Sequence, residues 1–521
     1  MDIELRIVMM QGYNKSKTCD RKQVLTDAGA ERNQRVGISA AEMVKNMTLS
    51  GDKDLARIES KRRKNPGYYR EIDRSCTFIV PEGVRVLELG CGTGRLLAAT
   101  RPSYGLGIDI DEKQIAAAQH IHGSQSKLEF QVGDVEEVDF SHMEPFDYII
   151  ISDLLPLLHD VQKTFERLQT VCTSHTRMII TYHSNLWRPL LALATLLGRR
   201  SPDPSYNWIS THDIENLLNL SGFEAVTHFG RTLLPVRLPG LNWIMNRLLA
   251  KMPVFNWFCL TWIIVARLSP QVALEKEDGD EATVSIVIPT RNEKGNIEAA
   301  FTRTPKLGKW TELIFVDAQS NDGTVEEINR CIKKYGGQWH RVLLLQQNSV
   351  GKAQAVRQGF AKCEGDILMI LDSDLTMPPE ELPKYYKAIV SGKGEFINGC
   401  RLVYPMEKKA MRFLNMVANH FFARLFTWLL GQRIKDTLCG TKVLWRRDYE
   451  QIAANRSYFG DFDPFGDFDL LFGASRLNHK IVDMPIRYRE RSYGEIKISR
   501  WQHGWLLLRM SLVAFRKLKL Y

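Results

Sequence analysis

Two aspartates one residue apart, Asp372 and Asp374, follow the apolar run Ile367-Leu368-Met369-Ile370-Leu371. The run is too short for a helix and lacks polar alternation, so it reads as a buried parallel strand. Such a strand delivers its last residues to the crevice at the edge of an open α/β sheet. Two carboxylates held that close repel one another unless a cation lies between them. Oxygen-only ligands suit Mg2+ or Mn2+, either of which would be shared with substrate phosphates. A solvated acidic turn would contain the same two residues, so the neighbouring strand ends must decide between the readings.

Those ends are polar in the same way. Val284 to Ile288 runs into Pro289-Thr290-Arg291-Asn292-Glu293, and Leu313 to Val316 runs into Asp317, then Gln319-Ser320-Asn321-Asp322-Gly323-Thr324. Asn348 to Lys352 and Gly365-Asp366 add further polar turns, so four strand ends are expected to converge on one sheet edge. In order and approximate spacing this set resembles the family 2 glycosyltransferases of the GT-A fold, from Thr283 to about Gln502. Within that family, Asp436-Thr-Leu-Cys-Gly-Thr-Lys442 and the stretch from Ile486 through Arg491 and Gly494 to Lys497 resemble the dolichyl- and polyprenyl-phosphate glycosyltransferases, with Ile496 in place of the usual Ser.

The resemblance implies a role for each residue. Glu293 and Asp317 would hold base and ribose of a nucleotide sugar, of the GDP-mannose or UDP-glucose type, with Pro289, Thr290 and Lys352 also on the substrate side. Asp372 and Asp374 would hold the metal on the diphosphate, and Arg401, Arg491 and Lys497 would grip phosphates. Asp467, in the acidic stretch with Asp461, Asp463 and Asp469, is a candidate near the acceptor; a capped loop explains those aspartates almost as well. A lipid phosphate is already anionic at neutral pH, so no strong base is needed. The barrier lies in cleaving the sugar–diphosphate bond, which cations assist.

A second chemistry precedes the first in the chain. Val84 to Leu89 reads as a buried strand entering Gly90-Cys91-Gly92-Thr93-Gly94, and an apolar helix follows. Glycines let backbone approach a ligand, and the helix start offers unpaired N–H groups. Asp109 ends the next strand, where a carboxylate can accept from ribose hydroxyls, and Asp134 ends the third, where it can accept from an adenine amino group. Glu88, Gly90, Gly92, Gly94, Asp109 and Asp134 together resemble the class I S-adenosylmethionine-dependent methyltransferases, over about Tyr68 to Leu268. A Rossmann dehydrogenase would want the longer Gly-x-Gly-x-x-Gly spacing. On the acceptor side Asp153, His159, Tyr182 and His183 are available. His159 is a candidate general base, although a lone histidine near a helix is more often structural.

The elements that must position these groups alternate strand and helix in both halves, giving an α/β chain of two domains. The expected organisation is a mobile basic arm (1–60), a methyltransferase-like domain (61–270), an acidic linker (271–282), a glycosyltransferase domain (283–500) and an amphipathic C-terminal helix (501–521). The chain has 521 residues, 44% hydrophobic and 25% charged, as folded soluble proteins do. Its net charge of +10 favours anionic partners: nucleic acid, phosphorylated substrates or an anionic membrane surface. With the two resemblances above, no nucleic acid is expected. Nine scattered cysteines without CxxC pairs suit a reducing compartment. The most apolar stretch, Met252 to Ala266, contains Pro253 and Asn256 and is too short to span a bilayer. Helical patterns at Arg412 to Leu430, Leu186 to Leu197, Leu241 to Leu249 and the C-terminus mix aromatic and basic residues, as peripheral membrane association at the cytoplasmic face would need.

The expectation is therefore a bifunctional enzyme: metal-dependent hexose transfer to a polyprenyl or dolichyl phosphate, with S-adenosylmethionine-dependent methylation of another acceptor. The alternative is a glycosyltransferase acting on a polysaccharide or other hydroxyl acceptor, its first half a non-catalytic S-adenosylmethionine-binding or docking module.

Overall fold

The computed structural model describes residues 66–197, 208–235, 238, 240–276, 281–347, 351–404, 413–458, 467–491, 493 and 500–521. The expected basic arm, the centre of the acidic linker, Asp461, Asp463 and Lys497 lie outside the described residues.

The first sheet contains β1 (Arg85–Leu89), β2 (Tyr104–Asp109), β3 (Leu128–Val132), β4 (Tyr148–Ser152), β5 (Arg177–His183), β6 (Phe223–Thr232) and β7 (Thr261–Leu268). Their order is β3-β2-β1-β4-β5-β7-β6. β1 to β5 are parallel, and β7 runs antiparallel between β5 and β6. Helices on both faces bury the central strands, which explains their unbroken apolar runs. β6 was not expected from the sequence. It slips register between Ala225 and Thr227 and again between Gly230 and Thr232, so its side chains do not keep the period of two that would have revealed it.

The second sheet contains β8 (Val284–Thr290), β9 (Thr311–Asp317), β10 (Arg341–Gln346), β11 (Ile367–Ile370), β12 (Phe396–Cys400), β13 (Lys442–Trp445) and β14 (Ile481–Pro485), in the order β10-β9-β8-β11-β13-β12-β14. β13 alone is antiparallel to its neighbours β11 and β12. The strand directions correct one expectation. Asp366 stands before β11, where its carboxylate accepts from the Thr283 amide at 3.0 Å, so it lies at the opposite edge from Asp372 and Asp374.

Both sheets belong to one compact unit, Arg57–Tyr521. Arg177 of β5 meets Glu395 across the boundary, and Arg267 of β7 reaches the other Glu395 oxygen at 3.4 Å. Lys480 donates to the Ala225 carbonyl at 2.8 Å, and Thr227 to that of Gly431 at 3.0 Å. The C-terminal segment, expected as an amphipathic helix, is helical and contributes to this core. Helix Arg500–Ala514 packs on helix Phe413–Leu430 and buries Leu507, Met510 and Ala514. Tyr521 stacks on Phe78 with ring centroids 3.5 Å apart. The outer faces of these helices expose Val417, Phe421, Trp505 and Leu512. Among the described residues, no helix is long and apolar enough to cross a membrane.

Candidate active sites

The glycine turn after β1 closes over the end of β2. Gly90, Gly92 and Gly94 have φ of 69°, 54° and 69°, a region that costs an L side chain dearly. At Gly94 a Cβ would also overlap the ring of Phe130, so the loop can lie this close only as glycine. Asp109 Oδ2 accepts from the Gly92 amide at 2.7 Å, and Oδ1 from the Asp111 amide at 3.0 Å. Asp109 thus shapes the turn from the end of β2. Glu88 is buried and accepts from the Leu97 amide at 2.9 Å, bracing the following helix from beneath. Asp134 follows β3, and its Oδ1 accepts from the Glu136 amide at 2.9 Å. Ile110, beside Asp109, is exposed and offers an apolar surface to a base. The glycine cradle, the two strand-end acids and this apolar face fit an adenosine-bearing methyl donor.

Of the acceptor-side candidates, the structure brings together Asp153 and His183 and adds Tyr68, which sequence reasoning missed. Tyr68, from helix Pro66–Ile79, donates to Asp153 Oδ2 at 2.5 Å and lies 2.9 Å from His183 Nε2. Burial and the adjacent Asp153 carboxylate push the Tyr68 hydroxyl well up, so it keeps its proton. Asp153 has φ +54°, a conformation rare outside glycine, directly after β4. Tyr68 stands 85 residues before Asp153, and nothing in its local sequence marks it. His159 is exposed and stands apart from this group, its amide donating to Glu136. Tyr182 is buried and donates to Thr211 at 2.5 Å, which leaves it a structural role.

In the second sheet, β8, β9 and β11 deliver Glu293, Asp317, Asp372 and Asp374 to one edge, as expected. Left-handed backbone gathers there: Asn292 (φ 52°), Gln319 (φ 56°) and Leu375 (φ 51°) each follow one of those strands. The two aspartates have cationic partners. Lys352 Nζ lies 2.5 Å from Asp372 Oδ1, and Arg491 Nη2 lies 2.6 Å from Asp374 Oδ2. Arg491 also reaches Glu293 Oε1 at 3.4 Å, so it spans the two strand ends. Burial would raise Asp372, but Lys352, with Lys442 and Arg401 behind it, holds its carboxyl below the usual range. Gly440 lies against this pair. A Cβ there would overlap both Asp372 Oδ2 and Lys352 Nζ.

Several expected contacts fall elsewhere. Arg401 is turned inward, its Nε and Nη2 bonded to the buried Asp436 carboxylate at 2.7 and 2.8 Å, so it anchors the 436–442 segment. Asp317 is buried and accepts from the Ser320 amide and hydroxyl, capping its own turn, with Thr290 at 3.4 Å. Pro289 is half-buried one residue earlier. Glu293 accepts from Asn296 at 2.8 Å. Asp469 is bonded to Arg357 and Arg456, a structural role. Asp467 opens helix Asp467–Arg476, and its side chain lies outside the described residues. Lys442, fully buried, donates to the Cys439 carbonyl.

A divalent cation was expected at Asp372 and Asp374. Their oxygens, with the diphosphate of a donor, suit Mg2+ or Mn2+. Among the described residues no third carboxylate, histidine or cysteine joins them. Lys352 and Arg491 already neutralise the pair, so an incoming cation must share or displace them.

Comparison with known proteins follows the two sheets. The family model "Methyltransferase domain" matches residues 81–224, and "Glycosyl transferase family 2" matches residues 285–452. The chain therefore carries a methyltransferase domain followed by a family 2 glycosyltransferase domain. Its relatives include a dolichol-phosphate mannosyltransferase of Saccharomyces cerevisiae, 37% identical over 111 residues, which are 20% of this chain and 40% of that one. An undecaprenyl-phosphate 4-deoxy-4-formamido-L-arabinose transferase of Enterobacter sp. is 27% identical over 222 residues, 42% of this chain and 62% of the other. A dolichol-phosphate mannosyltransferase of Pyrococcus furiosus is 27% identical over 226 residues, 41% and 59% respectively. The chain thus spans from 40% to 62% of the length of these relatives.

Proposed function

We propose that the second half transfers a hexose from a nucleotide sugar, of the GDP-mannose or UDP-glucose type, to the phosphate of a polyprenyl or dolichyl lipid at a membrane surface. The first half transfers a methyl group from S-adenosylmethionine. The observation that carries the reading is the pairing of Asp372 with Lys352 and of Asp374 with Arg491, packed against Gly440 at the edge of the second sheet.

The resemblance assigns Glu293 and Asp317 to the nucleoside of the donor. Arg491 is the pivot, because it touches Asp374 and Glu293 at once and its planar fork suits phosphate oxygens. A bound Mg2+ or Mn2+ on Asp372 and Asp374 would supply charge neutralisation to the departing diphosphate. Lys352 supports the same charge from the other side. The lipid phosphate enters as an anion, so the chain need only place it in line and exclude water. Lys497, which the resemblance assigns to phosphate, completes the proposed cation set. The relatives named for dolichol phosphate and undecaprenyl phosphate support a lipid-phosphate acceptor.

The test presents the full chain with vesicles containing a polyprenyl phosphate, labelled GDP-mannose or UDP-glucose, and Mg2+ or Mn2+. Label is expected in the organic phase. Arg491→Ala should raise KM for the lipid phosphate at least ten-fold, and by a larger factor than KM for the nucleotide sugar. Label appearing only in water-soluble glycosylated hydroxyl compounds would overturn the acceptor assignment.

A further inference from the structure

Two segments of the first half have no part in its sheet and leave from one edge of it. β5 ends at His183, which pairs with Thr261 at the start of β7, and Thr261 also pairs with Thr232 at the end of β6. Segments 184–197 and 233–260 therefore both emerge at the edge that carries the glycine turn, Asp109 and Asp153. They are joined there, since Trp187 Nε1 donates to the Phe258 carbonyl at 2.8 Å.

Both segments turn apolar side chains to solvent. Helix Arg188–Leu196 buries none of its residues and exposes Leu190, Leu193 and Leu196 at helical spacing. The longer segment exposes Trp243 at 63% and Trp257 at 77%. Exposed apolar clusters of this kind mark an interaction surface. Their charge indicates the partner: the two segments contain no acid, and of their described bases Arg188 is exposed and Arg247 half-buried, while Lys251 is buried 3.9 Å from Glu71. Tryptophans and leucines beside bases, on elements too short to span, match the headgroup region of an anionic bilayer. The surface also adjoins the second half, because Trp428 Nε1 donates to the Lys251 carbonyl at 2.8 Å.

The chemistry at the root of segment 184–197 suits a hydroxyl acceptor. Tyr68 has one proton and gives it to Asp153. His183 Nε2, 2.9 Å from the same oxygen, is then the donor to it, and in the neutral ring the lone pair lies on Nδ1.

We infer that the methyl acceptor is a hydroxyl-bearing amphiphile resident in an anionic lipid surface, on which segments 184–197 and 233–260 dock beside His183. The inference rests on the methyl-transfer reading of the first half. In the reaction the acceptor oxygen forms the new O–C bond, and the donor S–C bond breaks with its electron pair left on sulfur. The hydroxyl proton passes to His183 Nδ1.

The test uses the full chain and vesicles of phosphatidylglycerol and phosphatidylcholine. Leu196→Glu combined with Trp257→Glu, both at exposed positions, should lower vesicle co-sedimentation at least ten-fold while S-adenosylmethionine affinity by calorimetry stays within two-fold. Unchanged sedimentation would overturn the docking surface, as would a change of oligomeric state without loss of vesicle binding, which would mark a protein contact instead. With a total lipid extract of the producing organism and methyl-labelled donor, label should enter the lipid phase, and His183→Ala should remove at least nine-tenths of it without loss of vesicle or donor binding. Label confined to the aqueous phase would overturn the acceptor class. Failure of the wild-type chain to bind S-adenosylmethionine would instead strike the methyl-transfer reading itself, and the inference with it.

Discussion

Arg177 Nη2 lies 2.5 Å from Glu395 Oε1, and this pair, almost fully buried, ties β5 of the first sheet to the entrance of β12 in the second. Burial alone would raise Glu395, but Arg177 and Arg267 hold its carboxyl well below the usual range. The sign follows: the pair stabilises the fold above the carboxylate's unfolded value, and that contribution is lost as pH falls through the depressed folded value. Removing one member of a buried pair costs more than the pair itself contributes. Arg177→Met should destabilise the chain by about 3 kcal/mol in chemical denaturation, and adding Glu395→Leu should restore part of the loss. Strictly additive effects would show that the two residues are not coupled.

Asp448 gives the opposite pH dependence. Burial, with Glu395 nearby, pushes its carboxyl up to about 7, and its Oδ2 has no hydrogen-bond partner among the described residues. The folded state therefore holds this proton more tightly than the unfolded one, and stability falls as pH rises from about 4 to about 7. Asp448→Asn should be more stable than wild type at pH 8, by on the order of 3 kcal/mol, with the difference shrinking towards pH 4. Thermal melts across that range check it. A constant difference would show that Asp448 does not titrate there.

Gly440 tests the second site without altering a charge. Gly440→Ala should displace Asp372 or Lys352 and cut kcat for sugar transfer at least ten-fold, with little change in the melting temperature. Asp372→Asn should cut it further while leaving S-adenosylmethionine binding intact. Full activity in Gly440→Ala would show that the close approach is not needed for transfer.

Asp109→Ala should weaken S-adenosylmethionine binding by about 1–3 kcal/mol, through lost charge-assisted hydrogen bonds. Because Asp109 also receives the Gly92 amide, Asp109→Asn, which keeps an acceptor there, should lose less. Calorimetry separates the two. Equal affinities in all three proteins would place the ribose elsewhere.

Strand ends that run with the chain direction were legible in the sequence, because a buried parallel strand writes a continuous apolar run and its polar end marks the site. Glu293, Asp317, Asp372 and Asp374 were found in that way, and so was the turn from Gly90 to Gly94. Partners supplied from far along the chain were not. Tyr68 reaches Asp153 from a helix with no distinguishing pattern, and Arg401, which the resemblance assigns to phosphate, has its fork filled by Asp436. β13 escaped for a local reason: it has four residues, and its first, Lys442, is a charged side chain buried completely.

The bonds between the two sheets also constrain how the chain can handle a common substrate. Lys480 to Ala225, Thr227 to Gly431 and the shared Glu395 carboxylate hold β6 and β7 against the β12–β14 side. Domains joined by a thin polar contact swing about a linker, but these are cross-linked through buried charge. A molecule handled at both edges would then have to travel while the protein stays still. Two-dimensional diffusion of a lipid could provide that travel, and the viscosity and surface density of the lipid, rather than a hinge rate, would set how often one molecule visits both edges.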